Sequence, residues 1–220
     1  MSEQLFILTK SSKKRNESSD ENHIKGYCVA GLRRNPRINN RWEFIRLVTD
    51  RSGNSLDENQ AKALDALDVV NVNLMSHVGS GCQTENYLYE WSSVQFVKSL
   101  SAEQTAKFFH NYKTQLPFDQ SVFGNSFNYL TQSQINYRKN SLIIVDAHNV
   151  RLHETTNSSG STKTKISFMS NGTEHSDYSM TDPDYYGNTQ SHQNAFLIIS
   201  IPNKDFNGKY YKFVAKIIPY

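Results

Sequence analysis

The last third of the chain most restricts what it can fold into, because strand-length runs follow one another there with only turn residues between them. Residues 142–152, 163–169, 175–180, 196–201 and 209–218 each carry β-branched, aliphatic or aromatic residues at strand length. A Ser/Thr/Asn/Gly-rich stretch separates the first two and reads as a hairpin loop. Several short strands at close spacing, with turn signals between them, indicate a barrel or sandwich and not βαβ units. The first hundred residues repeat the pattern at 5–9, 24–32, 42–49 and 69–78. On 42–49 the alternation places Trp42, Phe44, Arg46 and Val48 on one face. Ala30 and Gly31 mark a close backbone approach or a bend.

Between these blocks lies different material. Residues 55–67 hold a short helix, and Ser101-Ala102-Glu103-Gln104 is a capping box that opens a helix running to about His110. Residues 111–140 are rich in Asn, Gln, Ser and Tyr and show no clear period. The expected organisation is therefore a first strand-rich domain over 1–98, a helix-containing link over 99–140 and a second strand-rich domain over 141–220. Further on, Asp182 before Pro183 has the order of a helix opening.

Charge is distributed unevenly. From Lys10 to Arg46 there are ten Lys/Arg against four Asp/Glu, whereas from Leu47 to Val97 there are two against seven. A basic stretch of that density attracts polyanions if folding keeps it on one face; the competing reading is a surface salt-bridged to the acidic segment that follows. Residues 1–8 lack the basic and long apolar regions of a secretory signal, and no run approaches the roughly 20 apolar residues of a membrane helix. A cytoplasmic protein is expected, with Cys28 and Cys82 as reduced thiols.

No catalytic constellation stands out, and the chain is expected not to be an enzyme. Cys28 sits among Tyr27, Val29 and Ala30 as a small buried hydrophobe would. Cys28, His77 and Cys82 lack zinc spacing, so no metal or other cofactor is expected. Asp146 and His148 share a strand face without a Ser or Cys partner, and His153 follows on the same strand. Asp177, Asp182 and Asp184 lack the calcium-loop order. Glu85-Asn86 fits a turn fastened through backbone amides.

Gly26-Tyr27-Cys28-Val29-Ala30-Gly31, Phe44-Ile45-Arg46-Leu47-Val48, Gln83-Thr84-Glu85-Asn86, Thr181-Asp182-Pro183, Ile199-Ser200-Ile201 and Tyr211-Lys212-Phe213-Val214-Ala215 occur in this order across almost the whole chain. This series resembles the signatures of the bacterial dual OB-containing domain family. Phe44 stands where the family has Trp, Leu47 where it has Pro, and Lys13-Lys14 where it has a Ser-Tyr-Lys loop. The resemblance implies a mainly β protein with short helices, built as two small OB-like barrels, and implies little about ligand.

OB barrels commonly hold single-stranded nucleic acid through a basic groove and aromatic faces. The expected function is accordingly a non-enzymatic, nucleic-acid-binding accessory protein that favours single strands. Its phosphate contacts are assigned to Lys13, Lys14, Arg33, Arg34, Arg37, Arg41, Arg46 and Lys212, and its stacking to Trp42 or Tyr210. Alternation over 209–218 sends Tyr211, Phe213, Ala215 and Ile217 inward and Tyr210, Lys212, Val214 and Lys216 outward; on 163–169, Lys163 and Lys165 face out while Ile166 and Phe168 go in. Outward lysines equally protect an edge strand from aggregation. The alternatives are a protein-interaction adaptor in a bacterial stress or phage-defence complex and a sensor of a small nucleotide.

Overall fold

The structure is a computed structural model that describes residues 2–13, 26–39, 41–156, 160 and 162–220, with the side chains of residues 12 and 13 outside that description. The chain divides into two compact units, Met1–Ser80 with Glu85–Leu100, and Gly81–Thr84 with Ser101–Tyr220.

The first unit contains β1 (Ser2–Lys13), β2 (Gly26–Asn35), β3 (Arg41–Val48), α1 (Glu58–Ala61), β4 (Asp68–His77) and β5 (Asn86–Ser99). Its strands close in the order β1-β2-β3-β5-β4, with β3 and β5 parallel and β4 returning antiparallel to β1. Alternate residues Leu5, Ile7, Val29, Ile45, Leu47, Val70 and Val72 fill the interior, joined by Leu56, Ala61 and Leu64 from the β3–β4 connection. Gly31 is required where β1 coils tightly against β2. A Cβ there would lie 2.4 Å from the Phe6 carbonyl oxygen, beside the bulge between Ile7 and Thr9. The outward-facing Phe6, Leu8, Ala30, Leu32, Phe44 and Val48 are buried as well, so β1, β2 and β3 are covered on both faces.

The second unit contains α2 (Ala102–Asn111), β6 (Tyr129–Thr131), α3 (Gln132–Ile135), β7 (Leu142–Thr156), β8 (Thr162–Ser170), β9 (Thr173–Met180), β10 (His192–Ser200), β11 (Lys209–Tyr211) and β12 (Phe213–Pro219). Five strands close in the order β7-β8-β9-β12-β10, again with the third and fifth parallel. Both barrels therefore have the five-stranded arrangement of an OB fold. The stretch read from sequence as a connection is folded into this unit: Val122, Phe123, Leu130 and Ile135 are buried in its core beside Val145, Phe168, Tyr178 and Leu197. Thr105, Ala106 and Phe109 are the buried residues of α2, whose capping box at Ser101 and Gln104 is formed as expected.

The C-terminal alternation differs from expectation. Tyr210, Lys212 and Val214 are buried and Tyr211 and Phe213 half-exposed, whereas Ile217 is inward as read. Residues 209–218 read as one uninterrupted strand, but the strand breaks at Lys212 between β11 and β12. A bulge then places Val214 opposite Ile199 and Lys216 opposite Ile198, leaving Ala215 unpaired. One extra residue reverses which side chains face the core.

Candidate nucleic-acid interface

Folding divides the predicted arginines into two groups. Arg33 is held between carboxylates, donating from Nη1 to Glu3 at 2.9 Å and from Nε to Glu43 at 3.0 Å, with its guanidinium 4.9 Å from the Tyr87 ring centroid. Burial opposes its charge, but Glu43, Glu3 and Tyr87 outweigh burial and raise its pKa. Arg46 is 6% exposed and pairs with Glu85 at 3.2 Å. These two guanidinium groups are committed to internal partners and do not form an open phosphate-binding surface. Arg34, Arg37 and Arg41 are exposed at the β2–β3 hairpin end, where Arg34 lies opposite the half-buried Trp42 and Asn35 opposite Arg41. Residues 34–42 contain three arginines and no acid, so this end is a small basic patch. Of the remaining predicted cations, the Lys13 side chain and all of Lys14 lie outside the described residues.

Tyr210 and Lys212 lie in the interior of the second unit. Tyr210 is 9% exposed and donates its hydroxyl to Gln132 Oε1 at 2.6 Å. Lys212 is 1% exposed. Neither can meet a ligand on an outer wall.

OB folds use the face of their second and third strands. In the first barrel that face is covered, but its counterpart in the second barrel, on β8 and β9 with β7 alongside, is open. Ile166 and Phe168 point inward, as read from sequence, and Lys163 and Lys165 outward. Register aligns His153, Lys165, Ser179 and Phe213 across β7, β8, β9 and β12. Two bulges shape this wall. Asn149 and Val150 interrupt the β7–β8 register, and Ser176 and Asp177 oppose Ser167 alone between β9 and β8. Asn149 (φ 50°) and Asp177 (φ 61°) are left-handed at these points. Such bulges redirect side chains, and here Asp177 meets His153 Nε2 at 3.0 Å.

Polar groups along the wall are partly paired. Arg151 contacts Glu174 at 2.7 Å, and Lys165 donates to Ser179 Oγ at 2.8 Å. Burial, then Lys163, lowers the Lys165 pKa against the pull of Asp177. Among the described residues no ion pair involves Lys163 or Lys209. One end of the wall opens into a groove of about 740 Å³ lined in part by Arg151, Met169, Glu174 and His192.

Aromatic rings continue the wall past β9. Phe127, 62% exposed, stacks on Tyr129 at 5.7 Å between centroids; Tyr129 lies opposite Tyr211 across the β6–β11 pair, with ring centroids 6.1 Å apart. The Lys209 ammonium stands 4.3 Å from the Tyr129 ring centroid. Asn128 Nδ2 donates to the Asp177 carbonyl at 3.1 Å, which ties this cluster to β9. Cations beside flat rings form a surface on which a polyanion with stackable bases can lie. The sequence signal for it was the Phe/Tyr content of 125–130 and 210–211, which lack a period because the two paired strands are three residues long.

The other polar candidates have local partners. Asp146 accepts from Lys113 and from Tyr220, each at 2.6 Å, and these bonds outweigh burial to lower its pKa. His148 contacts Asn194 at 2.8 Å, and Asp182 caps the short 3-10 turn Pro183–Tyr185 while pairing with Lys216 at 3.2 Å. Both cysteines are free thiols. Among the described residues no cluster of three His, Cys, Asp or Glu side chains is placed to hold a metal ion, and no helix is long and apolar enough to cross a membrane.

No curated protein matches the chain at a significant level. Residues 4–217 match the family described as the Dual OB-containing domain. That span takes in nearly all of both barrels of OB strand order, and the chain belongs to the dual OB-containing domain family.

Proposed function

We propose that this protein is a single-stranded nucleic-acid-binding module without a reaction of its own, and that the outer wall of the second barrel is its main contact surface. Lys163, Lys165 and Lys209 face the phosphates, while Phe127, Tyr129 and Tyr211 offer faces to the bases. The observation that carries this reading is the aromatic cluster Phe127–Tyr129–Tyr211 with Lys209 over the Tyr129 ring, alongside an open β8–β9 face. Single strands are favoured because stacking on such rings needs bases that are not already stacked in a duplex. Arg34, Arg37 and Arg41 supply a second basic patch on the first barrel.

Fluorescence anisotropy with labelled DNA and RNA of matched sequence, single-stranded and duplex, tests this. Single strands should bind more tightly than duplex, with affinity that falls as salt rises. Equal binding of duplex and single strand, or none of either, overturns it. The exposed Met75, Trp91, Phe96 and Val97 of the first barrel favour a protein partner as the second reading. Stoichiometric co-purification of one polypeptide without nucleic acid would select that reading.

A further inference from the structure

Lys212 is 1% exposed at the break between β11 and β12, in the interior of the second unit, where an apolar side chain would ordinarily be found. Its Nζ donates to Val122 O at 2.6 Å, Asn125 Oδ1 at 2.8 Å and Asn125 O at 2.9 Å. An ammonium has three N–H donors, so these three oxygens satisfy it without a paired carboxylate. All three belong to one loop, and the loop's backbone is unusual. Val122, Phe123 and Gly124 are successively left-handed, at φ 50°, 62° and 81°. Two of these residues carry a Cβ that disfavours the conformation, so the segment needs outside contacts to hold it. Immediately after it come Phe127 and Tyr129, the start of the aromatic cluster. Tyr178 OH donates to Phe127 O at 3.0 Å, and the Lys212 backbone N–H donates to Asn128 O at 2.8 Å.

We infer that Lys212 is the positioning residue of the aromatic platform: its ammonium gathers the carbonyls of the 122–125 loop, sets Phe127 and Tyr129 at the edge of the β8–β9 wall, and releases them when it loses its proton. The functional consequence rests on the proposed reading of that wall, whereas the structural one does not. The groups that face the ammonium are Tyr178 and His175 from β9, Arg138 from the residues after α3, and Asp119 from the start of the loop. Burial is the largest influence on Lys212 and Arg138 adds to it; against the smaller pull of Asp119, they bring its pKa down to about 7.

The sign of the linkage separates positioning from plain packing. The folded pKa lies below the roughly 10.5 of an unfolded lysine, so between these values the unfolded chain binds more protons. Global stability from this group therefore rises as pH rises from about 7. Order in the loop falls over the same range, because the ammonium that gathers its carbonyls is disappearing. A lysine that is merely packed produces no such opposition.

The test uses the full chain, with lysine side-chain NMR and backbone hydrogen exchange followed from about pH 6 to about pH 9 and corrected for intrinsic exchange. One lysine Nζ should titrate near neutrality, and protection at residues 122–128 should fall about tenfold or more over that range. Lys212→Met should lower that protection at every pH and abolish the opposing stability trend. If Lys212→Met does not fold, the wild-type titration decides. Protection that does not change with pH overturns the positioning role. Pentathymidylate affinity is measured in parallel. Protection that falls while that affinity stays constant overturns the reading of the wall as a nucleic-acid face and leaves the positioning role standing.

Discussion

Neutralising Lys163 and Lys209 together should remove most of the salt dependence of binding to a short strand. A pentanucleotide is suited to this test, because one OB face covers roughly 4–16 nucleotides. On the second barrel's wall Arg151 pairs with Glu174 and His153 with Asp177, and Lys163, Lys165 and Lys209 are the cations proposed to face phosphate. Each single-strand phosphate contact contributes about −0.7 to the slope of log K against log salt, so three contacts give about −2.1. Between about 50 mM and 200 mM salt that is roughly an 18-fold loss of affinity. In Lys163→Gln/Lys209→Gln only Lys165 remains, the slope falls to about −0.7, and the same change in salt costs about 2.6-fold. The assay is anisotropy of a labelled pentanucleotide across a salt series, with circular dichroism to confirm that both proteins are folded. A double variant that keeps the wild-type slope would refute the assignment of these lysines to phosphate.

Four further outcomes follow from the geometry. Tyr129→Ala should weaken single-strand binding about 5- to 150-fold, the equivalent of one stacked base at roughly 1–3 kcal/mol, with an unchanged salt slope. Gly31→Ala should destabilise the first barrel by about 1–3 kcal/mol in urea unfolding, because its Cβ meets backbone at 2.4 Å. Arg33→Met should cost on the order of 2 kcal/mol by leaving Glu3 and Glu43 without their guanidinium, whereas Arg37→Ala should stay within about 0.5 kcal/mol. Burial, with a smaller push from Lys212, lowers the His175 pKa to about 4. Since the unfolded imidazole takes its proton near 6.5, stability should drop as pH falls from about 6.5 to about 4, by roughly 2–3 kcal/mol. Its ring-proton NMR titration checks this, and a midpoint near 6.5 would contradict it.

The barrels were legible because their strands obey a period of two. Ile166 and Phe168 against Lys163 and Lys165 give the inside and outside of β8 directly, and the family resemblance implies two OB-like barrels. What escaped the sequence depends on contacts distant along the chain or on single-residue slips. Arg33 looks like a phosphate ligand until folding brings Glu3 and Glu43 to it from neighbouring strands. Lys212 and Tyr210 look outward until the bulge at Ala215 reverses the phase. The aromatic platform was hidden because Tyr129 finds its partner Tyr211 only through a strand pair that joins residues 129–131 to 209–211. An aperiodic Asn/Gln/Tyr-rich stretch reads as a connection when its packing partners are that remote.

The proposed placement of a single strand along the second barrel's outer wall is tested by backbone and aromatic NMR shifts during titration with a single-stranded pentanucleotide. Perturbations should concentrate at Lys163, Lys165, Phe127, Tyr129 and Tyr211 and saturate together. Perturbations confined to other surfaces, or none at saturating concentrations of strand, would contradict it.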